Sequence, residues 1–402
     1  MHQFKFESFI IQIEERLDAI QSQWDFHRKQ LPFFLQSFYL KELERCHNRP
    51  FKQRYCCVML NSKCVGVAVL QSLQFNLSGI ADSSRQKSGF WTRMAYAAGR
   101  NISSCLGNKA SIELHCIGNQ TISGTHGFYF VPEISNPTQI QILEKILDAI
   151  HLNFSSPALM QVDLIKDFGI NSQLRSKTLP GPLIQNLEPE MVLDIPEKLS
   201  GIEDYIALFE KKYRNRYKSI VKKASALHWK VLTPNEVNSL SPELDALYES
   251  VFQKSEIKML QLPQGYFSNL NACFPDTFQI LGGFINERLV VFGSCIHENT
   301  QSVYAHYIGL DPNLEDMELY QNLLYRFIDF AIVHQISKIH FGRTAAEIKS
   351  TVGAVPSPLT VWIYPRGRIN QWAIQTVLKT IKPKSVTYRS PFKTSQTPLK
   401  LV

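Results

Sequence analysis

The sequence predicts an α/β protein with mixed sheets, built as two tandem units over 1–188 and 189–402. Three observations predict it. A β-rich hairpin pattern occurs twice, at 54–75 and 278–296. Each copy is followed by strand, loop, helix and strand in the same order, as in a duplicated unit whose second copy is longer. The chain's 402 residues exceed one ordinary core and suit two domains of about 150–200 residues.

In chain order, FKFESFI (4–10) alternates like a strand, and 14–29 reads as a helix ending near Pro32. FFLQSFYLKELERC (33–46) is a second helix, with Phe34, Phe38, Leu40 and Leu43 as its apolar positions. RYCCVMLNSKCVGVAVLQSLQF (54–75) is a hairpin around Asn61-Ser62-Lys63. ASIELHCIG (110–118) is a strand and NQTISGTHG (119–127) a Gly-containing loop. Pro137 to Leu152 is a helix opened by Asn136, and ALMQVDLI (158–165) is a strand. Three prolines mark LRSKTLPGPLIQNLEPE (174–190) as a connector.

The second half starts with a basic helix from Ile202 to Leu227 and a helix from Pro242 to Gln253. A second hairpin, FQILGGFINERLVVFGSCI (278–296), turns around Asn286-Glu287-Arg288. SVYAHYIGLD (302–311) is a strand, Met317 to His334 a long helix and KIHFGR (338–343) a strand. AAEIKSTVGA (345–354) is a short helix closed by Gly353, and LTVWIYP (359–365) is the last strand. The hairpins must be antiparallel and the strand–helix–strand pieces parallel crossovers.

Apolar residues make up 44% and charged residues 19%, an ordinary globular balance that excludes a disordered chain. The net charge of +8 suits anionic ligands such as nucleotides, coenzyme A or tRNA. The eight cysteines form no CxxC pair, and six sit in apolar contexts, so a reduced, cytoplasmic setting is expected. The start, MHQFKFESFIIQIEERLDA, has charges inside its apolar run and does not read as a signal peptide. No run approaches the roughly 20 apolar residues of a membrane span. No HExxH or Cys/His cluster has metal-ligand spacing, and no P-loop or dinucleotide fingerprint occurs.

An antiparallel hairpin followed by a strand–helix–strand crossover resembles the build of GNAT-type acyltransferases. Their central parallel strands splay apart to admit an acyl donor, whose diphosphate rests on the loop and helix start after the fourth strand. Further blocks resemble the Fem-like tandem-GNAT family of peptidoglycan biosynthesis or recognition proteins. These are PEMVLDIPEKLSGIEDYIALFEKKYRNRYKSIVKKA (189–224) with its KKYR-x-R core, AHYIGLD, ELYQNLLYRFIDFAI and FGRTAAEIKSTVGA (341–354). CIGNQTISGTHGFYF (116–130) and AIQSQWDFHRKQLPFFLQSFYLKELERC (starting at 19) resemble first-domain segments of that family. The resemblance implies transfer of an acyl or aminoacyl group to an amine, of a cell-wall precursor or a small metabolite. Acyl-CoA or aminoacyl-tRNA would be the co-substrate. Neither DNA nor a membrane is an expected partner, and a monomer or homodimer is the expected state.

Transfer to an amine needs proton removal, oxyanion stabilisation and alignment, but no protein nucleophile. His306 is the first base candidate, with Tyr304 on its strand face; Tyr304, His306 and Ile308 are expected on one side, and Ala305, Tyr307 and Gly309 on the other. The family's K-x-x-x-G-A block implies that Lys349 stands at the transfer site, with Arg343 at the strand end. Seven Lys and Arg lie between Lys211 and Lys223. Ile202, Ile206, Phe209, Tyr213, Ile220, Ala224 and Leu227 form a buried stripe on that helix. Arg214, Arg216 and Lys218 then border a cleft and meet an anionic substrate, or are simply solvated. The loop LDPNLEDMEL (310–319) carries Asp311, Glu315, Asp316 and Glu318 and no Gly, and would repel a diphosphate. The 119–127 loop is the better anion nest, so Ser123, Gly124, Thr125 and Gly127 are the donor-binding candidates. A non-catalytic binder of a sugar–peptide or anionic ligand, and RNA binding through the basic helix, are the competing readings.

Overall fold

A computed structural model describes residues 2–46, 51–76, 111–120, 122–124, 127–154, 160–169, 182–186, 188–255, 261–380 and 386–393. The described chain falls into two compact units. The first holds described residues of 1–188 and 358–384 together with Gln261, the second those of 189–258, 262–357 and 385–402.

The first unit contains β1 (His2–Phe6), β2 (Phe9–Glu14), α1 (Gln21–Trp24), α2 (Ser37–Glu44), β3 (Phe51–Leu60), β4 (Lys63–Asn76) and β5 (Ser111–Ile117). Then come β6 (Phe128–Phe130), α3 (Asn136–Phe154), β7 (Met160–Gly169) and β8 (Leu183–Asn186). The second unit runs β9 (Glu190–Asp194), α4 (Ile202–Ala207), α5 (Lys211–Lys223), β10 (His228–Val231), α6 (Pro234–Ser239), α7 (Ser241–Lys254) and α8 (Tyr266–Cys273). It continues with β11 (Phe278–Ile285), β12 (Arg288–His297), β13 (Ser302–Leu310), α9 (Leu319–Val333), β14 (Lys338–Gly342), α10 (Ala346–Ser350) and β15 (Val355–Ser357). β16 (Leu359–Pro365) and α11 (Gly367–Thr380) then rejoin the first unit.

The sheet orders are β1-β2-β3-β4-β5-β7-β16-β8, with β6 on β4, and β10-β11-β12-β13-β14-β9-β15. From β2 and from β10 onward the orders correspond strand for strand. Both have three antiparallel pairings, then one parallel pairing (β5 with β7, β13 with β14), then two antiparallel ones. Both long hairpins also turn alike. Asn61 and Ser62 have φ of 48° and 63°, Asn286 and Glu287 46° and 63°, the left-handed pair that matches the strand twist.

The strand at 359–365, expected to close the second unit, lies between β7 and β8 in the first sheet instead. Its place in the second sheet is taken by β9, so a single cut at 188/189 does not separate the two units. The expected strand 4–10 is a hairpin turning at Glu7, whose φ is 51°. The expected helix 14–29 gives way to the end of β2 and short helical turns between Leu17 and His27. Part of the expected connector is strand β8, because Leu183–Asn186 finds a partner in β16.

The basic segment 202–227 is also two helices rather than one. Leu208–Glu210 leaves the helix, and the 391–393 segment pairs there: Glu210 N donates to Pro391 O, and Lys393 N to Leu208 O. Phe392 packs its ring against Tyr205 and Phe209, at 5.8 and 5.4 Å. The apolar stripe is otherwise as expected, with Ile206, Phe209, Tyr213, Ile220, Ala224 and Leu227 in the second unit's core; Tyr217 joins it and Ile202 lies at its margin. The first unit's core joins β2–β5, β7 and β16 to α3 through Ile142, Leu143, Ile146 and Leu147.

Candidate active site in the second unit

Strand β13 carries an extra residue opposite β12. Cys295 pairs with Ala305, but Gly293 pairs with Ile308. Ser294 clasps the bulge: its hydroxyl accepts from Tyr307 N at 2.9 Å and donates to Tyr307 O at 3.1 Å. A bulge breaks the two-residue alternation of a strand. Val303, Ala305 and Ile308 therefore turn to the core under α5 and α9. His306 and Tyr307 fall together on the α7–α8 side, with ring centroids 4.2 Å apart. The expected grouping of Ile308 with His306, and of Tyr307 with Ala305, is thus corrected by one residue of register.

The parallel ladder between β13 and β14 is short. It pairs Ser302–Tyr304 with Lys338–His340 and stops, although β13 runs on to Leu310. In the first unit the matching ladder runs the length of β5 from Ile112 to Ile117. The second sheet therefore opens where the bulge bends β13 away.

A chain of polar side chains stands at this opening. Lys349, on α10, is 4% exposed, and its ammonium donates to Phe341 O at 2.5 Å and Gly342 O at 3.4 Å. Burial pushes its pKa down to about 7, while the Glu190 carboxylate pulls the other way. Glu190 is itself buried, and its Oε2 lies 3.2 Å from His340 Nδ1. That carboxylate selects the Nδ1–H tautomer of His340 and leaves Nε2 as an acceptor. The His340 ring stacks on Tyr304, with centroids 4.4 Å apart. The Tyr304 hydroxyl donates to Glu298 at 3.4 Å, and burial raises its pKa. Glu190 thus bonds His340, whose ring reaches Tyr304, and its charge is felt by Lys349. Neither linking residue was a sequence candidate: Glu190 lies more than a hundred residues away in the chain, and His340 reads as an ordinary strand residue. The one usable signal was alternation on KIHFGR, which puts His340 on the face opposite the core residues Ile339 and Phe341.

His306 meets a different partner. Its Nε2 lies 2.9 Å from the Tyr266 hydroxyl, and burial lowers its pKa to about 3. The imidazole is neutral at ordinary pH and shares a hydrogen bond with the Tyr266 hydroxyl. Arg343 is half-buried just past β14. On α5, Arg216 and Lys218 are exposed. Arg214 is half-buried and donates to Phe209 O at 2.9 Å, tying off the break between α4 and α5.

The donor-binding candidates of the first unit meet an acid from another strand. Gly124 N donates to Asp167 Oδ2 at 3.0 Å, and Lys166 ion-pairs with Asp167 while donating to Asn119 O and Ile122 O at 2.9 and 2.7 Å. Lys166 and Asp167 are both buried. The loop itself carries no acid, but Asp167, remote in sequence, brings its carboxylate to the Gly124 amide. Ser123 is buried, and Gly127 packs where a side chain would strike the Gly118 backbone. Thr125 lies outside the described residues.

The acidic 310–319 loop is largely neutralised. Asp311 pairs with Arg288 at 2.7 Å, Glu315 with Lys254 at 2.6 Å, and Glu318 with Lys223. The repulsion expected of this loop is correspondingly weaker. Among the described residues, no group of His, Cys, Asp and Glu could hold a metal ion, and no helix is long and apolar enough to cross a membrane.

No family model matches the sequence, and no curated protein matches it. Similar solved structures include FemX, at 10% identity over 94% of this chain and 100% of that one, with a TM-score of 0.47. A conserved protein of unknown function from Bacteroides thetaiotaomicron is 12% identical over 89% of this chain and 100% of that one, with a TM-score of 0.46. A tandem GNAT protein from the clavulanic acid biosynthesis pathway is 8% identical over 89% of this chain and 99% of that one, with a TM-score of 0.37.

Proposed function

We propose that the second unit transfers an acyl or aminoacyl group from a thioester or ester donor to an amine. The observation that carries the proposal is the parallel ladder that stops at Tyr304 and His340, with a His–Glu pair and a buried Lys at its end. The opening offers backbone groups to an extended donor. A protonated amine gives a proton to His340 Nε2, and Glu190 stabilises the imidazolium. The amine nitrogen then attacks the carbonyl carbon, forming C–N. The donor's C–S or C–O bond breaks, the leaving thiolate or alkoxide takes up the second proton that the nitrogen sheds as the amide forms, and His340 returns its own proton to solvent. Lys349, where protonated, supplies positive charge to the carbonyl oxygen as it becomes an oxyanion, while Tyr304, its hydroxyl bonded to Glu298, stacks on His340 and holds that ring in place. His306, bonded to Tyr266, orients the face on which the donor lies, in place of the base role expected of it. A cell-wall precursor is one acceptor class consistent with this chemistry.

The test is product formation. The protein is incubated with acetyl-CoA or with charged tRNA and a panel of amines, and the N-acyl product is sought by mass spectrometry. His340→Gln should lower kcat by about 10²-fold, the usual contribution of a general base. Tight ligand binding without any product would instead favour a non-catalytic binding protein.

A further inference from the structure

We infer that the exposed face of α5 rests on the surface of an anionic lipid bilayer; this goes beyond the acyl-transfer reading and does not depend on it. The helix, Lys211–Lys223, carries seven cations and no acid. Arg214 is tied to Phe209 O and Lys223 to Glu318, while Lys211, Lys212, Arg216, Lys218 and Lys222 are exposed and form no ion pair among the described residues. Elsewhere in the unit Lys230, Lys254, Arg288, Lys338 and Arg389 each meet a carboxylate. At helical spacing the free cations fall in two rows, Lys211, Lys218 and Lys222 in one, Lys212 and Arg216 in the other, with Asn215 and Ser219 between them. Lys218 and Lys222, like Lys212 and Arg216, are like charges at the i,i+4 spacing, a repulsion that weakens the helix until an anionic surface relieves it. Exposed Glu210 only precedes the helix and Glu318 is already taken, so the rows keep a net positive charge.

The composition of the face selects a bilayer over a nucleic acid. A single strand of RNA or DNA is gripped by aromatic platforms, but Tyr213 and Tyr217 turn into the core. Of the free cations only Arg216 has the fork that grips a phosphate from two sides; the rest are Lys, point charges on flexible stems that suit a diffuse surface potential. The face is the outer side of one helix about 20 Å long, which meets a plane rather than lining a groove. No exposed apolar side chain lies on it, so the helix sits on the headgroups and does not enter the hydrocarbon. Arg216 and Lys218 thus face a membrane surface in place of the small anionic substrate expected of them.

Co-sedimentation of the full chain with phosphatidylcholine vesicles, with and without about 30 mol% phosphatidylserine, tests this. The protein should bind only the anionic vesicles and leave them at about 0.5 M salt. A Lys211→Gln/Lys212→Gln/Lys218→Gln/Lys222→Gln variant, checked for an unchanged thermal midpoint, should lose at least about ten-fold in binding, since each Lys near such a surface is worth about five-fold. A Lys5→Gln/Lys29→Gln/Lys52→Gln/Lys63→Gln variant removes the same charge from exposed positions of the first unit and should bind as the wild type does. No binding to anionic vesicles at low salt, equal binding to neutral ones, or equal losses in the two variants would overturn the assignment. Displacement from the vesicles by polyuridylate, at a phosphate concentration below that of the phosphatidylserine, would overturn it too and assign the face to nucleic acid.

Discussion

Lys349 and His306 are both driven toward neutrality by burial, yet they meet different partners. Lys349 falls to about 7 because its ammonium loses water, even with two carbonyls and a nearby carboxylate. Between about 7 and the ordinary 10.5, the unfolded chain binds a proton that the folded chain does not. The stability of the protein therefore gains from this group as pH rises through that window, and the gain is missing below it. Lys349→Met should flatten that part of the pH dependence, as read from urea midpoints at several pH values. A variant with the wild-type slope would show that the ammonium is not desolvated. Both Lys349 and Tyr304 were legible as candidates from the sequence. Their connection was not, because Glu190 and His340 become neighbours only through β9–β14 pairing.

Among elements, β13 shows most clearly what alternation can and cannot tell. The strand and both its neighbours were legible from β-rich runs and turn residues. The bulge was not, since an extra residue leaves no mark in a stretch where Tyr, Ala, His, Tyr and Ile all suit a strand. Its consequence is nevertheless large: it brings Tyr307 beside His306 and turns Ile308 to the core. Ser294 is wholly buried and satisfies both backbone groups of Tyr307. Ser294→Ala should therefore cost about 1–3 kcal/mol, the usual penalty for stranding a buried polar group. Chemical denaturation measures it. A loss below about 0.5 kcal/mol would mean that the bulge is held by other contacts. The basic helix gives the complementary case. Its apolar stripe was readable at helical spacing, whereas its break depends on the distant 391–393 segment that pairs with it.

For the whole molecule, the two sheets repeat one strand order, but they exchange a strand. β8 and β9 are consecutive in the chain and lie in different sheets, and so do β15 and β16. Each sheet's penultimate strand thus comes from the other half of the sequence. The repeat itself was visible as two hairpins with the same sequel. The exchange was not, because 359–365 reads the same as a last strand of either sheet. A fragment of residues 1–188 lacks β16, and with it the strand that joins β7 to β8. It should show no cooperative thermal unfolding by circular dichroism, while a chain joining 1–188 to 358–384 should show one. A cooperative transition in the shorter fragment would mean that β16 is dispensable to that sheet.

The proposed transfer requires an acyl donor in the opened ladder between β13 and β14 of the second unit. Hydrogen exchange by mass spectrometry, with and without acetyl-CoA, reads the donor's footprint directly. Added protection is expected over 305–310 and 341–349, with none in 118–124. Protection confined to the 118–124 loop, with β13 and β14 unchanged, would contradict it.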